Sequence, residues 1–504
     1  MTSPMRNHFM QIAGNSLGYL LATVIPTFLG VLLLPLYTRF LTPADYGITA
    51  TAASITGFLA AFYQLGLMSA YTRFYFEFRH DIVEMKRHLS TIAIFLGLYG
   101  LLLTVLIATA LGGLFERFVP TIPFSPYIQI AIWSSYLHLV FMLRLKIYRT
   151  EMQAHRYLVF SVAHIATTTI LTILFVVVLR QGALGYLTAM LISNGVFSGI
   201  SIWLLRQYLV FVVDRDKLKA GLRFGLPLIP HLVGTWMFHT VDRLMLTSMV
   251  NTAETGLYSI GFAIAQAVTL VASAVNYAWS PFFYAQMKDR GDAAKPDVAK
   301  FVTYWVLAMC FVFLLVSGFS QELVVLLAAA SYRQAYQVVT LVALGLLFGG
   351  FYYVVVNPLF WLRKTPLIAA ATLTSGLLNV VLNLLLLPRM QMMGAALATA
   401  LSNVFCFLFI AFFSLRLLPV PYEYKRLSKV AATTTICSLL FWSASHLGGF
   451  WVVLLAKLPI VLLFPALLLF LRFPQDDERQ VVRRLVAAEV VRVRHQIRRE
   501  SNRP

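Results

Sequence analysis

The chain has 504 residues, of which 60% are hydrophobic and only 12% charged, with a mean hydropathy of +0.79 and a formal net charge of +20. Soluble domains carry roughly 25% charged residues, so a water-soluble globule is excluded for want of polar surface to cover it. Apolar stretches of about 20 residues, each long enough to cross a bilayer as a helix, recur along the whole chain and are too long for membrane β-strands.

The fold class is therefore an all-α polytopic membrane protein. About fourteen transmembrane helices are expected, centred near Pro26, Gly57, Leu101, Ser135, Thr168, Phe197, Thr235, Ala267, Cys310, Gly345, Leu377, Phe405, Leu439 and Leu462. The first follows a short, weakly basic start (Arg6, His8) without a small-residue cleavage site, and reads as a retained helix. It carries Asn15, Tyr19 and Thr23 at i, i+4 and i+8. His138 and His164 fall in the middles of the fourth and fifth spans and read as hydrogen-bonded packing residues.

The seventh span holds His231, Thr235, His239 and Asp242 at i, i+4, i+8 and i+11, which on a continuous helix is one polar face about 16 Å long. Pro227 and Pro230 bend its start. Arg243 follows directly. Two readings stand for the Asp242–Arg243 pair: a helix end capped at the outer interface, or a charged cavity wall. An ionisable group at membrane depth costs at least about 2.5 kcal/mol unless paired or hydrated.

The eighth span carries Gln266, Thr269, Ser273 and Asn276 on one face, and the eleventh Ser375, Asn379 and Asn383. Such amides and hydroxyls serve helix packing or line a cavity that solvates sugars; the set together favours lining. Asn357-Pro358 reads as a helix end or kink. Cys310, Cys406 and Cys437 show neither metal spacing nor a disulfide pattern and read as packing residues. Beyond Gln475, valines and isoleucine at helical spacing alternate with arginines. This is a basic amphipathic tail able to lie on an anionic leaflet, or to dock biosynthetic partners.

Of the 40 Lys and Arg residues, 33 fall on one side of this topology. Six (Arg39, Arg117, Arg180, Arg243, Arg333, Arg389) fall on the other, and Lys457 lies inside the last span. By the positive-inside rule both termini are cytoplasmic. The net charge is then a topology signal, and nucleic acid is not an expected partner.

The chain also repeats. "LTPADYGI" at 41–48 resembles "VNTAETGL" at 250–257, and "LGYLTAMLISN" at 184–194 resembles "MGAALATALSN" at 393–403, both at an offset of 209. Arg180 and Arg389 share that offset, as do Phe74-Tyr75 and Phe283-Tyr284, and "QAHRY" at 153–157 falls on "LRKTP" at 362–366. The expected domains are a six-helix bundle over 1–209, a second parallel one over 210–420, an additional helix pair over 421–472 and the tail over 473–504. Two parallel bundles facing a central cavity are an alternating-access architecture.

"LLPLYTRFLTPADYG", "VDRLMLTSMVNTAETGLYSIGFA" and the paired G-x-x-x-A-x-x-x-S-N spans resemble the signature regions of the polysaccharide transporter family. These are the Wzx-type lipid-linked oligosaccharide flippases of the superfamily that also holds the multidrug MATE exporters. The resemblance covers about residues 10–420 and the extra helix pair. It implies a flippase that moves a polyprenyl-diphosphate-linked oligosaccharide across the bacterial inner membrane for surface polysaccharide or exopolysaccharide assembly, with polymerase and glycosyltransferase partners.

On that footing Arg243 becomes a candidate diphosphate contact, because guanidinium matches phosphate oxygens bidentately. Asp242 and His231 are candidates for coupling to H+ or Na+. His239, Thr235, Gln266, Ser273, Asn276, Asn379, Asn383, Asn15 and Tyr19 are candidate cavity-lining residues. No resident cofactor or metal is expected.

Three rivals remain. A MATE-like drug antiporter would favour carboxylates in its cavity for cationic cargo. A membrane-embedded glycosyl polymerase would need a large outer loop, and a scaffold would not need the polar stripes. No G-x-x-x-x-G-K-[ST] loop is present for direct ATP drive, and this is not read as an enzyme.

Overall fold

The computed structural model describes residues 25, 28–78, 81–210 and 212–475. Asn15, Tyr19 and Thr23 of the first span, and the basic tail from Asp476 onward, lie outside the described residues. All regular structure among the described residues is helical.

In chain order the helices are α1 (Phe28–Phe40), α2 (Pro43–Gln64), α3 (Leu67–Phe78), α4 (Ile82–Ala110), α5 (Gly112–Phe118), α6 (Gln129–Thr150), α7 (Ala154–Thr172), α8 (Gly182–Leu205) and α9 (Arg215–Gly225). They continue with α10 (Ile229–His239), α11 (Val241–Met249), α12 (Thr252–Ala265), α13 (Ala267–Arg290), α14 (Lys295–Gly318), α15 (Ser320–Leu327), α16 (Tyr336–Trp361), α17 (Thr365–Leu417), α18 (Tyr424–Ala444) and α19 (Phe450–Phe470). Every expected span centre from Gly57 to Leu462 lies in one of them. Eight helical stretches are long and apolar enough to cross a bilayer, or nine if α2 and α3, bent by 43°, form one span. The 53-residue α17 contains two expected spans and is broken at Gln391, whose φ of 49° and ψ of −131° are not helical.

The repeated motif has a structural meaning. Thr42 caps α2 by accepting from the Asp45 amide, and Asp45 in turn accepts from the Thr42 amide, a reciprocal capping box. The same Asp45 carboxylate reaches across to accept from the Ala183 amide, 3.2 Å away at the start of α8. In the second repeat Asn251 caps α12, and Glu254 accepts from the Met392 amide at 3.3 Å, where α17 restarts after its break. Each partner is 209 residues on from its counterpart.

The two caps also meet. A Cβ on Gly47 would lie 2.7 Å from the Thr252 carbonyl carbon, and one on Gly256 would lie 2.8 Å from the carbonyl carbon of Pro43. Exchanging the repeats exchanges the two contacts, as at a two-fold axis. Only glycine allows backbones this close, which accounts for Gly47 and Gly256 in the motif.

The offset does not hold everywhere. Left-handed Met152 (φ 58°) and Arg363 (φ 56°) occupy equivalent turns 211 residues apart, so "QAHRY" slips by two against "LRKTP". The first repeat takes up the two extra residues between Phe175 and Gly185: Gly185 packs on the Phe175 carbonyl as Gly394 does on that of Leu386, ten residues back against eight.

Contacts divide the chain into two units, residues 1–280 with 320–419, and residues 281–319 with 420–504. In the second unit α14 packs on α18, with Gly318 seated on the Phe441 ring. Buried Arg426 lies 4.4 Å over Phe473 and pairs with Glu423 at 3.0 Å. The three cysteines are free and buried.

Candidate substrate cavity

The first unit encloses a cavity of about 620 Å³ walled by α2, α10, α11, α12, α13, α16 and α17. Its geometry follows from one interruption. The seventh span is not a continuous helix: α10 ends at His239, Thr240 takes φ −138° and ψ −12°, and α11 begins at Val241. The exposed Thr240 carbonyl is satisfied by the Ser54 hydroxyl of α2 at 2.8 Å, and the Trp236 indole N–H donates to the Ser54 carbonyl at 2.7 Å. At the other end, the predicted bend at Pro227 and Pro230 is a single 3-10 turn, Leu226–Leu228.

The break corrects the predicted polar face. His231, Thr235 and His239 line the cavity as expected, but α11 starts on a new rotation, so Asp242 turns away and Arg243 takes its place on the wall. The Arg243 guanidinium lies 4.4 Å over Phe262, with Nη1 donating to the His239 carbonyl at 3.2 Å. No Asp or Glu lines the cavity, and Arg243 makes no ion pair among the described residues.

Asp242 is 1% exposed and sits in the first turn of α11, where free backbone N–H groups favour an anion. Its Oδ2 accepts from the Tyr258 hydroxyl (2.8 Å) and the Thr399 hydroxyl (2.7 Å), and its Oδ1 from Asn383 Nδ2 (2.7 Å). Asn383 Nδ2 also donates to Asn379 Oδ1 at 2.9 Å. Within this cage Asn383 Oδ1 and Asn379 Nδ2 make no hydrogen bond.

The remaining predicted residues divide. Gln266 and Thr269 line the cavity, Gln266 at the junction of α12 and α13. Ser273 and Asn276 are half-buried further along α13 and are not on the wall. Asn379 and Asn383 are fully buried in the Asp242 cage rather than on the wall. Sequence reasoning missed Ser54, Phe262, Tyr352, Tyr353, Thr372 and Asn403. Asn403 was visible as half of the repeated Ser-Asn pair, but a repeat alone does not say which face it marks.

Its counterpart Asn194 serves a smaller cavity of about 290 Å³ in the first repeat. There Asn194 Oδ1 meets His164 Nε2 at 2.9 Å and His138 Nδ1 at 3.3 Å, while Asn194 Nδ2 donates to the Ser134 hydroxyl at 2.8 Å. The two histidines are thus hydrogen-bonded, as expected, but they also border open space.

Residues 36–337, more than half of the chain, match the family model described as polysaccharide biosynthesis protein. The chain belongs to this family. A curated relative, Lsg locus putative protein 1 of Haemophilus influenzae, is 25% identical over 199 residues. That match covers 38% of this chain, and the chain spans about half (49%) of the relative's length.

Among solved structures, the lipid II flippase MurJ in an inward closed conformation superposes with a TM-score of 0.67 at 15% identity, covering 91% of this chain and 98% of that one. An inward-facing multidrug resistance MATE transporter of the MOP superfamily superposes with a TM-score of 0.60 at 15% identity, covering 82% and 96%. This member of the polysaccharide biosynthesis family is therefore a multi-pass membrane protein with the MATE/MurJ fold.

Proposed function

We propose that the protein flips a polyprenyl-diphosphate-linked oligosaccharide across the bacterial inner membrane by ion-coupled alternating access, for surface polysaccharide or exopolysaccharide assembly. The observation that carries this reading is the charge of the wall. A cavity holding an arginine with no carboxylate counter-ion, amid His, Thr, Asn, Gln and Tyr, suits an anionic, hydroxyl-rich cargo. A cationic drug would meet repulsion there, and the nearest carboxylate, Asp242, is turned away behind α11.

The Asp242 cage is the proposed coupling site. A buried carboxylate held by two hydroxyls and an amide suits uptake of H+ or Na+, and it lies one residue from Arg243. Occupation there would shift the α10–α11 break and so the cavity wall. His231, whose Nδ1 is buried without a hydrogen bond, is a second proton candidate. Both termini are placed in the cytoplasm by the basic-residue count, with the tail on anionic lipid and available to polymerase or glycosyltransferase partners.

The test is translocation of a labelled polyprenyl-diphosphate oligosaccharide in proteoliposomes, with an imposed H+ or Na+ gradient, by the native protein and Arg243→Ala. Native flipping that is lost in the variant supports the reading. Equal rates in both remove Arg243 from substrate binding, and no native flipping with any of several glycans turns the reading toward the drug antiporter.

A further inference from the structure

The core of the first repeat holds a charge that no side chain answers. Arg144, in the last third of α6, is 1% exposed, and its Nε and Nη1 make no hydrogen bond. The guanidinium lies 4.2 Å over the Tyr148 ring and 5.4 Å over that of Tyr208, which follows α8, so its N–H edge is what remains for a partner. Within electrostatic reach is the hydroxyl of Tyr71 in α3, also buried and without a hydrogen bond. The Tyr71 ring stacks at 6.3 Å on His88 of α4, neither of whose ring nitrogens has a partner. Leu143, Ile147 and Leu205 belong to the same apolar core. Buried polar groups are hydrogen-bonded in roughly nine cases of ten, so five orphaned atoms around one buried cation point to a ligand.

The second repeat is the control. On the 211-residue offset set by Met152 and Arg363, Val355 stands where Arg144 does, buried in one apolar cluster with Leu359, Ile368 and Ala371. Tyr71 is matched, 209 residues on, by Ser280, whose hydroxyl donates to Asn357 Oδ1 at 3.0 Å. The bundle therefore closes without a charge at this point, and helix packing does not account for the arginine. Nor do the neighbouring charges. Glu151, on the turn after α6, is within electrostatic reach but accepts from Gln153 Nε2 at 2.8 Å, and Arg144 makes no ion pair among the described residues. Lys217, the ammonium near His88, is paired with Glu84 and, at 3.4 Å, with Asp214.

We propose that Arg144, the Tyr71 hydroxyl and a His88 N–H hold one monovalent inorganic anion, chloride, in the core of the first bundle. The charge and the burial select it. One cation in apolar surroundings calls for one negative charge, and the second charge of a phosphate would be left as unpaired there as the arginine is alone. A guanidinium 1% exposed is out of reach of a lipid head group or a sugar diphosphate. The anion would tie α3, α4 and α6 to one another. None of these residues lines the substrate cavity, so the site stands apart from the flippase reading and does not depend on it.

The experiment uses the full chain in detergent, with two readouts: binding of radiolabelled chloride, and melting temperature in sodium chloride against sodium gluconate. Both are made on the native protein and on Arg243→Ala, so that the cavity arginine does not supply the signal. One saturable chloride per chain is expected in each, with a melting temperature that rises with chloride and not with gluconate. Arg144→Leu, which copies the apolar character of Val355, should fold, lose the bound chloride and melt independently of it. Tyr71→Phe should weaken chloride about tenfold, the loss of one hydrogen bond to a charged group. The proposal is overturned by the absence of saturable chloride in Arg243→Ala, by chloride retained in Arg144→Leu, or by phosphate binding more tightly than chloride. Unchanged affinity in Tyr71→Phe overturns it even where Arg144→Leu fails to fold. So does chloride that binds only in Glu151→Gln, since Glu151 would then be the counter-ion of Arg144.

Discussion

Gly47→Ala places a methyl where the two repeats cross. Its carbon would stand 2.7 Å from the Thr252 carbonyl carbon and 3.1 Å from the Gly256 nitrogen, against 3.4 Å for ordinary contact. The obstructing atoms, the Thr252 carbonyl oxygen nearest of all, belong to the backbone of a capped helix, not to a side chain that can swing away, so α2 and α12 must part. Overpacking of this kind costs about 1–3 kcal/mol; helix propensity, which favours Ala over Gly by up to about 1 kcal/mol, offsets part of it. Gly97→Ala in α4, where nothing lies within 4 Å, receives only the favourable part.

The propensity gain is common to both variants, so their difference should be the overpacking cost of about 1–3 kcal/mol, read as a lower melting temperature for Gly47→Ala in detergent. Gly256→Ala should match Gly47→Ala, because the crossing is reciprocal. The double variant should cost less than the sum, since one separation accommodates both methyls. Equal melting of Gly47→Ala and Gly97→Ala would refute the reasoning.

Asp242→Ala strands three donors, from Tyr258, Thr399 and Asn383, and should destabilise by about 3 kcal/mol or more in the same melting assay. Asp242→Asn keeps the shape and should fold, while translocation loses its dependence on the imposed cation gradient; gradient dependence retained in Asp242→Asn would remove the site from coupling. Asp45→Ala loses both a cap and the brace on Ala183, and should cost about 1–2 kcal/mol, with faster amide exchange at the start of α8 and not at Met392. Helix α9 provides a pH test. The Lys217 backbone amide, at its N-terminus, holds the Asp214 carboxyl below the usual range, and the Glu84 carboxylate raises the Lys217 ammonium. Asp214 stabilises above its unfolded pKa of about 3.9, a contribution lost as pH falls through its lower folded value. Lys217 stabilises below about 10.4, lost as pH rises through its higher folded value. Amide protection of α9, corrected for intrinsic exchange, should therefore be flat from about pH 5 to 9, and loosening already at pH 6 would show that another group controls it.

The helical class, the placing of the spans and the repeat were legible because hydropathy and a constant offset are properties of the chain alone. So was the importance of "LTPADYG", though not its reason: Asp45 grips a backbone amide 138 residues away. His231, Thr235 and His239 share one wall because i, i+4 spacing survives within α10, and Arg243 and Gln266 reach the same cavity from other elements. What could not be read was the break at Thr240. No Pro or Gly marks it, and the group that makes it tolerable, the Ser54 hydroxyl, comes from a helix 186 residues earlier. One unmarked break moved Asp242 from the wall to the cage and took Asn379 and Asn383 with it. Local periodicity carries no information about a partner supplied from so far along the chain.

The two acidic braces also bear on how the chain assembles as it is made. Asp45 to Ala183 and Glu254 to Met392 close loops of identical length, 138 residues, and each lies wholly within one repeat. The first can therefore shut while the second repeat is still on the ribosome, since loop closure depends on the residues between the ends and not on those to follow. The glycine crossing and the bonds of Ser54 with Thr240 and Trp236 need both repeats present. The second brace waits for Met392 to emerge, and an early stop before α12 should release a first repeat with its brace already made.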